Sequence, residues 1–265
     1  MNFKLHMGSH IIEKTDHYKY LGIFFDENIN WKLQISKMCA KLSSVCGVLS
    51  KVRHYLDRGS LMLIYNSLFD SRLRYGILGW GTASEQYLSK LRVLQNRAVR
   101  FITFSSFRSS VGPLYSNLKI LPLENQLFLQ RSVFMHSVYY KNLPFVFNDY
   151  CKQPNHSYPT RYATSANYVL PLSSTNRGQN SIKFAGPKAW ANVPNDLKDI
   201  AFRKPFSKKT KEHILKEIYE ELPPKSTAFG EKDDHTPLEG LRLIFDLELE
   251  MIFQSDDANE TFHGF

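Results

Sequence analysis

The sequence predicts a mainly α-helical protein: a helical bundle preceded by a small N-terminal β-hairpin and followed by an irregular C-terminal region. After Trp31, apolar residues recur in steps of three and four over about six turns, the spacing of one buried helix face. Residues 21–25 alternate with a period of two, as in a strand. From Lys141 to Ile200 the chain is rich in Pro, Asn, Ser and Tyr. A chain of 265 residues that is 43% hydrophobic can bury one sizeable core or two small ones.

Residues 1–30 are expected to form the hairpin, around the run KYLGIFFDENINW. Leu21, Ile23 and Phe25 would share one face of a single strand, and the acidic-polar DEN sequence would supply the turn after it. A partner strand is expected around His10–Ile12. Because an unpaired strand edge exposes backbone donors and acceptors, the N-terminal strand is also expected to self-associate.

Residues 31–142 are predicted to form four helices. The first has a face of small side chains between lysines, and its opposite, apolar face consists of Ile35, Met38, Leu42, Val45, Leu49, Val52 and Leu56. The second begins at Ser60 as its N-cap, and the third is capped by Ser84. The fourth covers about Leu123–Tyr140, and its apolar residues are Leu127, Phe128, Val133, Phe134 and Val138.

Residues 143–222 are predicted to be an irregular basic region that ends in a helix, and residues 223–265 an acidic tail. Residues 1–225 carry 32 Lys and Arg against 15 Asp and Glu, a net +17, whereas residues 226–265 carry 2 against 10, a net −8, which together give +9. The basic body indicates a polyanionic partner such as nucleic acid. A basic protein without such a partner fits the charge equally well.

No catalytic or metal-binding pattern is visible in the sequence. Cys39, Cys46 and Cys151 form no CxxC or Cys-His cluster, which favours a reducing, intracellular setting. The pairs Asp233-Asp234 and Asp256-Asp257 lie in the acidic tail without the strand context that two-metal phosphoryl transfer needs. No apolar run approaches about 18 residues, so no membrane span is expected.

Several short motifs follow one another in order along the chain. They are Tyr20-Leu21-Gly22, Trp31, Tyr75-Gly76, Trp80-Gly81, Gln95-Asn96, and Gly186-Pro187 with Trp190. Over about residues 15–220 their order and spacing resemble the C-terminal part of reverse transcriptases from non-LTR (LINE-type) retrotransposons of the jockey and CR1 kind. Two positions depart from the family pattern: Gln34 stands where a histidine is frequent, and Ala191 where an asparagine is common.

The resemblance implies that the hairpin is the edge of a polymerase palm and that the helices form a thumb-like domain. The catalytic aspartates of the palm are absent. The chain would then be a fragment of an RNA-directed DNA polymerase that binds RNA or an RNA–DNA template–primer without polymerising alone. It would need no cofactor or metal itself, although the intact parent enzyme uses Mg²⁺.

The same resemblance gives the motif residues structural roles. The residues expected to contact nucleic acid are Lys37, Lys41, Lys51, Lys90, Arg97 and Arg100. The alternative is a helical fragment of a truncated insertion with no selected activity. Whether the setting is the nucleus or the cytoplasm stays open.

Overall fold

Helices make up most of the chain in the computed structural model, which describes residues 5–12, 14–147, 150–152 and 168–220. The predicted fold class, mainly α with a small N-terminal β-hairpin, is confirmed. The acidic tail 223–265, with its two aspartate pairs, lies outside the described residues. The predicted domain limits remain predictions.

The described residues include four short strands, which form two separate antiparallel hairpins. Strand β1 (Leu5–Met7) pairs with β2 (His10–Ile12), and β3 (His17–Tyr20) pairs with β4 (Ile23–Asp26). The expected pairing of residues 10–12 with the strand at residues 21–25 is therefore wrong. A pairing between neighbours along the chain closes a much shorter loop, which costs less entropy.

The prediction of one strand over residues 21–25 is also wrong, because the chain reverses at Leu21-Gly22. Both residues have positive φ, 48° and 78°, and Tyr20 faces Ile23 across the ladder. This is the two-residue hairpin turn whose twist matches that of the strands, and glycine enters it without strain. Leu21 is therefore 70% exposed at the tip, whereas Ile23 and Phe25 are half-buried against the helices.

The helices follow in chain order. They are α1 (Lys32–Val52), α2 (Arg58–Ile64), a π-helical segment (Tyr65–Asp70), α3 (Ser71–Arg74), α4 (Ile77–Trp80), α5 (Glu85–Ile102), α6 (Gly112–Leu118), α7 (Leu123–Tyr139), a 3-10 turn (Phe145–Phe147), α8 (Asn176–Asn180), α9 (Ile182–Ala191), α10 (Asn195–Lys198) and α11 (Arg203–Glu220). The described residues of the part predicted to be irregular therefore include three short helices before α11.

The first core lies between α1 and α5 and includes α2, the π-helical segment and α6. All seven apolar residues predicted for the first helix are buried, which confirms the face, but six lie in α1 and Leu56 follows the end of the helix at Val52. Helix α2 is capped by Asp57, whose carboxylate accepts hydrogen bonds from the Gly59 and Ser60 backbone N–H groups. Ser60 is therefore inside the helix and not its N-cap. An ionised carboxylate is the stronger acceptor for the free N–H groups of a first turn.

The second core lies between α7, α9 and α11. Its largest buried side chains are Trp190 and Phe206, which pack with His136 of α7. Of the five apolar residues predicted for α7, Val133 alone is fully buried. The buried set instead includes polar side chains, because α7 is enclosed on one side by α4 and α5 and on the other by α9 and α11.

Candidate nucleic-acid interface

The junction between the second hairpin and the helices brings together motifs that lie far apart in sequence. Tyr75 donates its hydroxyl proton to the carbonyl oxygen of Leu21 at 2.5 Å. Gly76 has φ 63°, and a Cβ atom built on it would lie 2.4 Å from Ile23 Cδ1. Glycine is therefore required here both by the backbone conformation and by the close approach of β4.

Two tryptophans hold the same junction from the helical side. Asp26 accepts a hydrogen bond from the Trp31 backbone N–H at 2.9 Å, just before α1 begins. The Trp31 indole then donates to Thr82 Oγ1 at 2.9 Å, and the buried Trp80 indole donates to the Tyr75 carbonyl at 2.8 Å. Both indole N–H groups are satisfied, so the apolar rings are buried at little polar cost.

The other motif residues also lie in packed positions. Gln95 is fully buried and donates to the Tyr65 hydroxyl oxygen at 3.1 Å and to the Leu121 carbonyl at 3.0 Å. Asn96 accepts a hydrogen bond from the Tyr115 hydroxyl at 2.9 Å. The buried motif residues outside these contacts are Gly81, Gly186, Pro187 and Trp190.

A cavity of about 300 Å³ opens beside the junction, between the hairpin turn, α1 and α3. Lys37, Lys41 and Arg72 line it, with Tyr75 on the wall and no acidic residue among the lining side chains. Lysine ammonium and arginine guanidinium groups are the side chains that bind phosphate oxygens most strongly. We call this cavity the basic cleft.

Gln34 and Arg72 fix the geometry of the basic cleft. Gln34 is buried and accepts a hydrogen bond from the Phe24 backbone N–H at 3.0 Å, which ties β4 to the start of α1. Arg72 donates one N–H to the Leu68 carbonyl at 3.2 Å. The sequence prediction missed Arg72, although it lies three residues before Tyr75, where a helical residue can face the same side.

The predicted nucleic-acid residues do not form one patch. Lys37 and Lys41 line the cleft, and Lys51 is exposed in the last turn of α1. Lys90 and Arg97 are exposed on α5. The charges of Lys90 and Arg97 each act against the burial that raises the pKa of a cysteine thiol of α1.

Burial raises the pKa of the Cys39 thiol, and the charge of Lys90 opposes that shift. Burial also raises the pKa of Cys46 to about 11, and there the charge of Arg97 opposes it. A cation favours the ionised thiolate at short range. Lys90 and Arg97 are thus electrostatic neighbours of the two α1 cysteines.

Arg100 is turned into the protein. It is half-buried, and it donates hydrogen bonds from Nε and from one terminal nitrogen to the Ser109 carbonyl, at 3.2 and 3.0 Å. A guanidinium group held in this way has fewer free donors for phosphate. Its role as a phosphate contact stays a prediction, and its visible role is to hold the connector after α5.

The surface around α1 and α5 is poor in carboxylates. Residues 28–56 contain five Lys and Arg and no Asp or Glu, and residues 86–123 contain six and none. Arg92 is the member of this set that pairs with acids, Glu85 and Glu124 at the edge of the surface. The remaining cations are therefore not neutralised by neighbours along their own helices.

No group of three or more potential metal ligands occurs among the described residues. Within the same residues, no helix is both long and apolar enough to span a bilayer.

Comparison with known proteins identifies relatives for part of the chain. The RNA-directed DNA polymerase from mobile element jockey of Drosophila melanogaster is 26% identical over 124 residues, which is 46% of this chain and 14% of the relative. The probable RNA-directed DNA polymerase from transposon X-element of Drosophila melanogaster is 23% identical over 113 residues, 41% of this chain and 12% of the relative. The jockey polymerase of Drosophila funebris is 25% identical over 114 residues, 42% of this chain and 12% of the relative.

These matches confirm the predicted resemblance to non-LTR retrotransposon reverse transcriptases. The chain is homologous to such polymerases over part of its length, and the match covers about one eighth of each relative. No family model and no solved structure matches the chain.

Proposed function

We propose that the chain is a thumb-like, nucleic-acid-binding part of a retrotransposon RNA-directed DNA polymerase that does not polymerise alone. The observation that carries the proposal is the basic cleft, which Lys37 and Lys41 of α1 and Arg72 of α3 line together with no carboxylate among the lining side chains. A phosphate group of the template–primer backbone is the ligand that suits three converging cations.

The homology supports the same proposal. The three relatives are RNA-directed DNA polymerases, a class that must hold a template–primer. In this chain, Gly22 and Tyr75, which belong to motifs that resemble those of that family, line the cleft, and the Tyr75 hydroxyl donates to the Leu21 carbonyl at the hairpin turn. The family motifs would thus position the cations that contact the backbone.

Lys90, Arg97 and Lys51 extend the proposed contact surface beyond the cleft. All three are exposed, and they lie within residues 28–56 and 86–123, which contain no Asp or Glu. Such a surface binds through phosphates and reads no bases, so affinity would depend on salt and little on sequence. RNA–DNA hybrids and duplexes of a single nucleic-acid type would both be ligands.

The test is a charge reversal with a matched control. Lys37→Glu with Lys41→Glu removes two cleft cations, and Lys208→Glu with Lys209→Glu makes the same charge change on exposed positions of α11. We expect the first variant to lower affinity for an RNA–DNA hybrid and to reduce the log–log salt slope by about two, since each phosphate contact contributes about one. The α11 variant should keep most of the affinity, and fluorescence anisotropy across a salt series measures both.

Equal losses in the two variants would mean that net charge, and not the cleft, controls binding. Absence of any salt-dependent binding would instead favour the inert helical fragment. In that case sedimentation would show whether the exposed turn residue Leu21 and its neighbours in β3 drive self-association.

A further inference from the structure

We propose that the connector after α5 carries a second nucleic-acid site, an aromatic platform that stacks the unpaired bases of a single strand. The platform consists of Phe104 and Phe107, supported by Arg53, Arg97 and Arg100. It rests on the proposed function in one respect, that the ligand is nucleic acid. It adds a different mode of recognition at a different place on the protein.

Arginine side chains from two helices surround the base of the platform. The Arg53 guanidinium lies 4.8 Å from the Phe104 ring centroid and 5.8 Å from that of Phe101. The Arg97 guanidinium lies 5.5 Å from the same Phe101 ring. The Phe101 ring therefore lies between Arg53, which directly follows α1, and Arg97 of α5. Phe104 contacts Arg53 at the edge of this arginine cluster.

Phe104 adopts a left-handed backbone conformation, which glycine adopts more easily than phenylalanine does. Its φ is 54°, and it ends α5 where the Ser105 N–H bonds back to the Arg100 carbonyl at 3.0 Å. Glycine or asparagine is preferred at such a left-handed helix end, because a bulky side chain there is strained. Phe104 is nevertheless 49% exposed, so burial of its side chain offsets little of the strain. Strained residues of this kind are concentrated at binding sites.

Phe107 is held out from the protein by a connector with its own hydrogen bonds. The ring is 81% exposed and lies 5.7 Å from the Arg100 guanidinium. Arg100 is itself fixed by its two bonds to the Ser109 carbonyl, and the Ser109 N–H bonds to the Ser106 carbonyl at 3.0 Å. A ring presented by an ordered segment loses little entropy on binding.

Charge and ring exposure together select a single strand as the occupant. The platform lies within residues 86–123, which carry six basic side chains and no carboxylate. The bases of a duplex are already stacked, whereas an unpaired strand offers both π-faces and phosphates. Duplex backbone would occupy the basic cleft, and the unpaired strand would lie across Phe104 and Phe107.

The experiment uses the full chain and three probes: an oligothymidylate of about 15 nucleotides, an abasic strand of the same length and charge, and a duplex. We expect the oligothymidylate to bind roughly 5- to 150-fold more tightly than the abasic strand, the range that one stacked base provides. Phe104→Leu with Phe107→Leu should remove that preference and leave affinity for the duplex and the abasic strand unchanged. Leucine keeps an apolar side chain of similar bulk, and circular dichroism verifies the fold.

Phe145→Leu is the matched control, because this ring is 82% exposed outside the arginine cluster. It should leave the preference intact. Equal binding of the two single strands by the native chain, or a preference that survives in the double variant, would overturn the platform. An acidic peptide that competes with the duplex but not with the oligothymidylate supports the assignment. An acidic peptide that displaces the oligothymidylate more effectively than the abasic strand displaces it would overturn the assignment in favour of a protein partner.

The two proposals fail separately. Weaker binding of the duplex in the Lys37→Glu, Lys41→Glu variant, with the preference for oligothymidylate over the abasic strand unchanged, supports the cleft and the platform as independent sites. Loss of the preference in that variant would place base stacking at the cleft and overturn the platform.

Discussion

The first core and the second core are both covered by basic side chains, but the two surfaces differ in what surrounds each charge. Around the first core, Lys37 and Lys41 face an open cleft without carboxylates. Around the second core, Lys198 is buried with its ammonium 5.6 Å from the Trp190 ring, and Lys183 lies 4.5 Å from Tyr150. Burial lowers the pKa of Lys198.

The acidic residues reinforce the difference. Helix α11 mixes its lysines with Glu212 and Glu217, and Glu217 pairs with His213 at 3.2 Å. Helix α1 contains no acid. Basic side chains therefore form an open surface without carboxylates in one region and a mixed, partly packed surface in the other. The following changes test whether the two regions are as separate as this comparison indicates.

The largest effect is expected from the two fully buried tryptophans, Trp80 in the first core and Trp190 in the second. Each change to alanine leaves a large cavity and should lower the free energy of unfolding by about 3–5 kcal/mol. Trp80→Ala also removes the bond to Tyr75 beside the cleft, so it should weaken binding to an RNA–DNA hybrid. Trp190→Ala should leave that affinity nearly unchanged.

Denaturant unfolding and anisotropy on the same samples measure both quantities. If Trp190→Ala weakened binding as much as Trp80→Ala while helicity was retained, the cleft would depend on the second core and the comparison would fail.

A smaller effect is expected from two glycines of the first core. Gly76→Ala forces alanine into φ 63° and places its Cβ against Ile23, so we expect a loss of about 2 kcal/mol, of which the backbone alone accounts for about 1–2. Gly47 lies inside α1 with open space around a built Cβ. Gly47→Ala should therefore stabilise the protein by about 0.5–1 kcal/mol.

Thermal unfolding gives the sign of each change. The binding assay adds a second criterion, since Gly76→Ala should also weaken binding by displacing the hairpin turn. A neutral Gly76→Ala would show that the turn is free to move away from α4.

The smallest effect concerns pH and the second core. His136 is buried, and its Nε2–H donates to the Ile200 carbonyl at 2.7 Å, so Nδ1 is the unprotonated nitrogen. Nδ1 has no partner among the described residues. Burial lowers the pKa of His136 below its ordinary value.

The sign of the pH dependence follows from that direction. Below about pH 6.5, the ordinary histidine pKa, the unfolded chain binds a proton that the folded second core does not. Stability should be complete above this pH and decrease as the pH falls towards the lowered pKa of the folded state. Urea unfolding at pH 7.5 and about pH 5.5 should show a decrease that His136→Gln reduces. His213→Gln is the control on a half-buried histidine outside the second core and should leave the decrease in place.

Much of the fold was predictable because long helices repeat one physical pattern. The apolar spacing of α1 predicted its buried face, and Ser84 and Leu123 mark the starts of α5 and α7. The ordered motifs predicted the polymerase resemblance that the relatives confirm. Each of these features depends on neighbours within a few turns, which a sequence displays directly.

The failures concern contacts between distant segments. The hairpin turn at Leu21-Gly22 was hidden by an alternating apolar pattern that a strand and a two-stranded hairpin share. The apolar residues predicted for α7 all pack against one of the two cores, but its buried polar residues were missed because periodicity describes one buried side, and α7 is buried on two. Arg72 was missed because its position in the cleft depends on where α3 lies against α1.

The sequence by itself determined the helical class, the family resemblance and the excess of positive charge, since these depend on composition and local spacing. Tertiary structure alone decided which cations are available to a ligand. Arg100 donates hydrogen bonds to the carbonyl of Ser109, nine residues away, and the Lys198 ammonium contacts the Trp190 ring. Lys37, Lys41 and Arg72 line one cavity. A charge binds phosphate when no nearer partner satisfies it, and those partners come from segments that meet only in the folded chain.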